Sequence, residues 1–184
     1  QIELRSSDNI CRKNEPIKIR GAAHRNIISL DMANTYTQCY IHLVFSPKNR
    51  AATIGKQWKN ELEKYISAII TNNGHKLLAI GTMPDHIHIF IGYNVNQLIP
   101  NLVAEIKTST NHWINTKKLT LQKFDWQRGY GAFSHSPSQI DGVVQYILSQ
   151  EQHHQKQNFR EEYLKILNKN GVDFDENYIF DFFE

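Results

Sequence analysis

The stretch "MPDHIHIFIG", residues 83–92, sets two histidines one residue apart inside a short apolar run, directly after a Pro-Asp turn. A run of this length, rich in Ile and Phe and bounded by turn residues, reads as a β-strand. Side chains alternate along a strand, so His86 and His88 share one face while Ile87, Ile89 and Ile91 project from the other into a core. Two neighbouring imidazoles suit a metal ion. Rings satisfied by backbone or water fit the bare spacing equally well, and a third ligand and a reacting group are needed to decide.

Working outward, "TYTQCYIHLVF" (residues 35–45) alternates and is rich in β-formers, and "SPKNR" breaks it. Trp58, Leu62, Tyr65, Ile66, Ile69 and Ile70 follow helical spacing, with "NNG" ending that helix at Gly74. "HKLLAIG" reads as a strand joined to the histidine strand through Met83, Pro84 and Asp85. Ile99, Leu102, Val103, Ile106, Thr110 and Trp113 mark a second helix, and "GYGAFS" (residues 129–134) a fourth strand. A third helix is expected from about Ser138, whose hydroxyl with Asp141 resembles a capping box. The order strand, helix, strand, strand, helix, strand, helix predicts an α+β, ferredoxin-like split βαβ domain. Its antiparallel sheet is flanked by helices, and one helix is added at the C-terminal side.

That added helix offers chemistry. Ile140, Val143, Val144, Ile147 and Leu148 form its apolar stripe, so Tyr146 and Gln150, one turn apart, look out together from a different face. His153 lies near them and His154 is displaced. Taken alone, "QYILSQEQHH" reads better as a solvated polar face; paired with the histidine strand, that reading loses ground.

Composition limits the alternatives. The chain has 184 residues, 40% hydrophobic and 21% charged, enough for one domain with a real core. Cys11 and Cys39 are far apart, which indicates neither a disulfide framework nor a thiolate zinc site and fits a reducing, cytoplasmic setting. No apolar stretch approaches the ~20 residues of a bilayer span, so no membrane partner is expected. Residues 32–160 hold 13 Lys or Arg against 7 Asp or Glu, a net of +6, whereas residues 161–184 hold 2 against 7, a net of −5. The basic body is compatible with nucleic acid without requiring it. Residues 1–31 show no sustained period and end just before Met32, a natural start. They read as a poorly ordered extension, a fragment or read-through of upstream sequence, ahead of a domain over 32–184.

"MPDHIHIFIG", "FDWQRGYGAFSHSPS" and "YILSQEQHHQKQNFREEYLKIL" together resemble the HUH-type single-tyrosine transposases of the smallest bacterial insertion sequences, the insertion-sequence-200 type. The resemblance runs from Met32 to about Tyr178. It implies that His86, His88 and Gln150 hold a divalent metal, Mg²⁺ or Mn²⁺, and that Tyr146 is the nucleophile. Imidazole ligands by themselves would favour Zn, Fe, Ni or Cu. It further implies single-stranded DNA bearing hairpins as partner, a 5′-phosphotyrosine intermediate, and a homodimer; in well-studied members the tyrosine helix of one subunit completes the site of the other, and the sequence leaves open whether this site forms within or between subunits. Lys48, Arg50, Lys107, Arg128, Lys156 and Arg160 are candidates for phosphate contacts. Tyr130 is a candidate for stacking on bases, while Trp126 and Phe133 fit a core better.

Two other functions remain open on the sequence. A metal-dependent nuclease or hydrolase could use the histidine pair with His135 or His153 as third ligand, activating water and dispensing with Tyr146. A non-catalytic DNA-hairpin-binding module could share the fold. In the acidic tail "DFDENYIFDFFE", Tyr178, Ile179 and Phe180 are expected to pack onto the domain or its partner.

Overall fold

A computed structural model describes residues 36–48, 53–153, 157–175 and 179–181. The expected extension over residues 1–31 lies outside these, as do Arg50, His154, Lys156, Tyr178 and the side chain of His153.

Four strands, β1 (Tyr40–Phe45), β2 (Lys76–Thr82), β3 (Ile87–Gly92) and β4 (Gly131–His135), form one antiparallel sheet in the order β2-β3-β1-β4. Helix α1 (Lys56–Asn72) connects β1 to β2 and α2 (Ile99–Thr116) connects β3 to β4. This is the ferredoxin-like α+β fold that the sequence order predicts. β1 starts at Tyr40, five residues after the alternating stretch begins. α1 ends where expected: Gly74 takes φ +73°, a conformation an L side chain resists, and its N–H bonds the Thr71 carbonyl.

β1 and β3 are central, so both of their faces must be covered, and the two faces are covered differently. Leu43, Phe45, Ile87, Ile89 and Ile91 point one way into the main core, packing with Trp58, Leu62, Ile66 and Ile70 of α1 and Leu102, Val103 and Ile106 of α2. Each such side chain contributes ~1.5–3 kcal/mol when fully buried. His42, His88 and Phe90 point the other way, which explains how two buried neighbouring strands each carry a histidine.

The second face is roofed by α3 (Ile140–Leu148), α4 (Gln150–His153) and α5 (Phe159–Lys169). Here the structure departs from the sequence reading. The chain enters α3 through a 3-10 turn at Pro137–Gln139, and the capping pair is Ser136 with Gln139, whose Oε1 accepts the Ser136 N–H at 2.9 Å. Pro137, lacking an N–H, fits the first position of that turn, so the cap falls before Ser138. The helix does not run on through Gln150. Ser149 caps α3, its Oγ donating to the Gln145 carbonyl at 2.7 Å, and Gln150 opens the separate α4. α5 was not anticipated as an element. Asn158 caps it, its side chain accepting the Glu161 N–H at 2.9 Å.

Two contacts fix these helices on the sheet. At Gly81 of β2 a Cβ would lie 2.6 Å from the Ile147 carbonyl oxygen, so only glycine lets α3 come this close. Behind α5, Phe180 is buried against Phe159 and Tyr163, Ile179 packs at the core's edge, and Asp181 exchanges two 2.7 Å hydrogen bonds with the Gln127 amide. The tail segment is docked as the sequence suggests for Ile179 and Phe180.

Candidate functional site

The histidines arrive already oriented. His86 precedes β3, and its Nδ1 pairs with Asp85 Oδ1 at 2.8 Å; Phe159 of α5 stacks on its ring at 4.2 Å and 3°. His88 lies on β3, its Nδ1 2.9 Å from His42 Nε2 on neighbouring β1. With both Nδ1 atoms engaged, both Nε2 atoms face the same carboxylate. His88 Nε2 is 3.3 Å from Glu162 Oε1, and His86 Nε2 is 3.6 Å from Glu162 Oε2.

Glu162 is the functional residue that the sequence reading missed. It is 5% exposed, and an ionised carboxylate that deeply buried needs partners. Besides the two imidazoles it has the Gln150 amide, donating from Nε2 to Oε1 at 2.8 Å, and the Tyr146 hydroxyl, donating to Oε1. A place in the first turn of α5 also favours negative charge. One signal was legible: in "FREEYLKIL" Glu162 interrupts the apolar positions Phe159, Tyr163, Ile166 and Leu167, a charge inside the buried stripe.

Tyr146 and Gln150 therefore do share a face and meet at one point, despite the break at Ser149. The Tyr146 ring meets His88 edge-on at 5.8 Å and His42 at 6.5 Å. Burial first, then the Glu162 charge and hydrogen bond, push its hydroxyl pKa well above the ordinary tyrosine value. His42 is held below the usual histidine range by burial and by His88 and His135 beside it.

Ligand-type atoms of His86, His88 and Glu162 all lie within 4.8 Å of one another, a group that could hold a metal ion. The donor chemistry fits: two neutral imidazole nitrogens and a carboxylate. Gln150 adds an observation of its own, because its buried Oε1 has no hydrogen-bond partner among the described residues. His135, the alternative third ligand, instead contacts His42 and Phe90, with ring centroids 5.9 and 5.6 Å away.

The candidate DNA contacts are scattered. Lys48, Arg128 and Arg160 are exposed. Lys107 is committed elsewhere: its ammonium donates to the Gln127 and Gly129 carbonyls at 2.9 and 2.5 Å and lies over the Phe45 ring, and burial lowers its pKa to about 8. Tyr130 packs at the core's edge, while Trp126 and Phe133 are core residues. A cavity of about 750 Å³ opens beside Tyr146, lined by His42, His135, Gly142, Lys165 and Lys169 among others.

Fold and cluster define a class: a ferredoxin-like α+β domain with a metal-ligand-type group and a tyrosine on one sheet face. Residues 35–150 match the family described as Transposase IS200 like. The chain belongs to that family of transposases. Among solved structures it is similar to a candidate transposase from Deinococcus radiodurans R1, with 23% identity, 63% of this chain and 93% of that one covered, and a TM-score of 0.51. It is also similar to a REP-associated tyrosine transposase bound to a REP hairpin, with 16% identity, 66% and 72% covered, and a TM-score of 0.52. A comparison with curated proteins finds no match. Among the described residues, no helix is long and apolar enough to cross a membrane.

Proposed function

We propose that this transposase cuts and rejoins single-stranded DNA at hairpin-bearing ends, with Tyr146 as the nucleophile. The observation that carries the reading is the convergence of Tyr146, Gln150, His86 and His88 on Glu162 within a single chain. A hydrolase that activates water would not need the Tyr146 phenol placed there.

His86, His88 and Glu162 would hold the metal, with Gln150 Oε1 as a further donor. A divalent cation, Mg²⁺ or Mn²⁺, would supply Lewis-acid polarisation and orientation of the scissile phosphate. The Tyr146 oxygen forms a bond to phosphorus as the bond from phosphorus to the 3′-oxygen breaks. The phenol proton leaves to water, and the departing 3′-oxygen takes a proton from water, so no net proton is consumed. The product is a 5′-phosphotyrosine and a free 3′-hydroxyl. Because the phosphodiester is kept as a covalent ester, attack by another 3′-hydroxyl rejoins the strand without a nucleotide cofactor.

The cavity beside Tyr146 has the place and charge to take unpaired nucleotides next to the cleavage point, with Lys165 and Lys169 on its wall for phosphates. Nothing in the geometry requires a second subunit to supply the tyrosine. A homodimer would then serve to bring two DNA ends together.

The test is a denaturing gel of the protein with labelled single-stranded hairpin DNAs and Mn²⁺ or Mg²⁺. An SDS-resistant protein–DNA band that needs metal and is lost in Tyr146→Phe is expected. Metal-dependent cleavage unchanged in that variant would transfer the protein to the hydrolases, and hairpin binding with no cleavage under any metal would leave a binding module.

A further inference from the structure

The two histidines are held by unlike partners. His86 has a carboxylate, Asp85, on its Nδ1, a common arrangement behind metal-bound imidazoles. His88 has another imidazole, that of His42, with Nε2 2.9 Å from the His88 Nδ1 and ring centroids 5.0 Å apart at 29°. His42 is 3% exposed and His88 0%, so water does not compete for this bond.

A neutral imidazole carries one N–H, and the other nitrogen alone has a lone pair to give a metal. If His88 donates from Nδ1 to His42, its Nε2 lone pair is turned toward Glu162. If the bond runs the other way, the His88 proton sits on Nε2, 3.3 Å from Glu162 Oε1, and that nitrogen cannot ligate. The side chain on β1 therefore decides whether the strand-borne ligand is usable, and it must be able to accept a hydrogen bond. The surroundings hold the His42 ring in position: Phe90, Phe133 and Tyr146 lie 6.5, 6.2 and 6.5 Å from it.

We propose that His42 is the positioning residue of the metal-ligand pair, accepting the Nδ1–H of His88 and thereby fixing the tautomer whose Nε2 faces the metal. This rests on the metal reading above. It adds a residue outside the H-x-H motif, contributed by a different strand, whose role is to orient a ligand.

The experiment is a calorimetric titration of Mn²⁺ into wild type, His42→Phe, His42→Gln and His86→Ala, with thermal melts of each metal-free chain. His42→Phe is expected to bind Mn²⁺ about 10–100-fold more weakly. His42→Gln, whose amide oxygen can accept, should recover most of the loss. In Mg²⁺-saturated protein with ¹⁵N-labelled histidine, His88 should appear as the Nδ1–H tautomer. Wild-type affinity in His42→Phe, or a His88 protonated on Nε2 in the metal-bound protein, overturns the role of His42 while leaving the metal site standing. Wild-type protein whose Mn²⁺ binding is absent or unaffected by His86→Ala overturns the metal reading and this inference with it. A metal-free melting temperature that falls equally in both His42 variants, with affinity unchanged, would reduce His42 to packing.

Discussion

The two faces of the sheet carry opposite kinds of interior. Toward α1 and α2 the strands present Leu43, Phe45, Ile87, Ile89 and Ile91 to an apolar core. Toward α3 and α5 the same strands present His42, His88 and Phe90 to Tyr146, Gln150 and Glu162, with a cavity alongside. The first face stabilises the fold by excluding water from hydrocarbon. The second gives up part of that gain to bury an imidazole pair and a carboxylate, and every such group must then find a partner. One face makes a rigid platform and the other uses it.

That contrast can be broken by substitutions that act on one face only. The largest effect expected is from Tyr146→Phe, which should lower covalent DNA adduct by about 10⁴-fold or more while the protein remains folded; adduct at a tenth of wild type would place the nucleophile elsewhere. On the opposite face Ile89→Ala should cost about 2–5 kcal/mol in denaturant unfolding, because the side chain is fully enclosed. If Ile89→Ala unfolds at the wild-type midpoint, the α1/α2 face is not the platform described.

Glu162→Gln separates stability from function most cleanly. Removing a buried charge whose desolvation opposes its attractions should leave the metal-free melting point unchanged or raise it. Mn²⁺ affinity should fall at least about tenfold, the lower end of what even outer-shell changes cost. Melting and titration on the same samples check both. Gly81→Ala comes next: a Cβ 2.6 Å from the Ile147 carbonyl must push α3 outward, at about 1–3 kcal/mol. Moving Tyr146 off its position should slow adduct formation by more than that loss of stability explains. The smallest effect is expected from Lys107→Met, whose ammonium serves backbone carbonyls; hairpin-DNA affinity should change less than about twofold, as read by fluorescence anisotropy.

Much of this was legible in the sequence where local chemistry governs. The β3 alternation placed the histidines and isoleucines on opposite faces, Gly74 marked the end of α1, and the element order led to the sheet topology. Tyr146 and Gln150 were paired by helical spacing, and they do meet. What the sequence reading did not supply was the rest of the roof beyond α3. α5 reads as an ordinary charged amphipathic helix, and Glu162 gains meaning only when tertiary packing turns its first turn toward His86 and His88. His42 was similarly hidden, because its partner lies 46 residues away on a neighbouring strand. The break at Ser149 escaped notice because no Gly or Pro marks it, only a serine whose hydroxyl bonds back to the Gln145 carbonyl.

The decisive measurement concerns whether one chain holds the whole site. His86→Ala protein keeps the tyrosine and lacks a metal ligand; Tyr146→Phe keeps the ligands and lacks the nucleophile. Mixed, refolded together and given hairpin DNA and Mn²⁺, the two should form no covalent adduct, although wild type treated alike does. Adduct restored in the mixture would mean that tyrosine and histidines come from different chains, contradicting the within-chain convergence on Glu162.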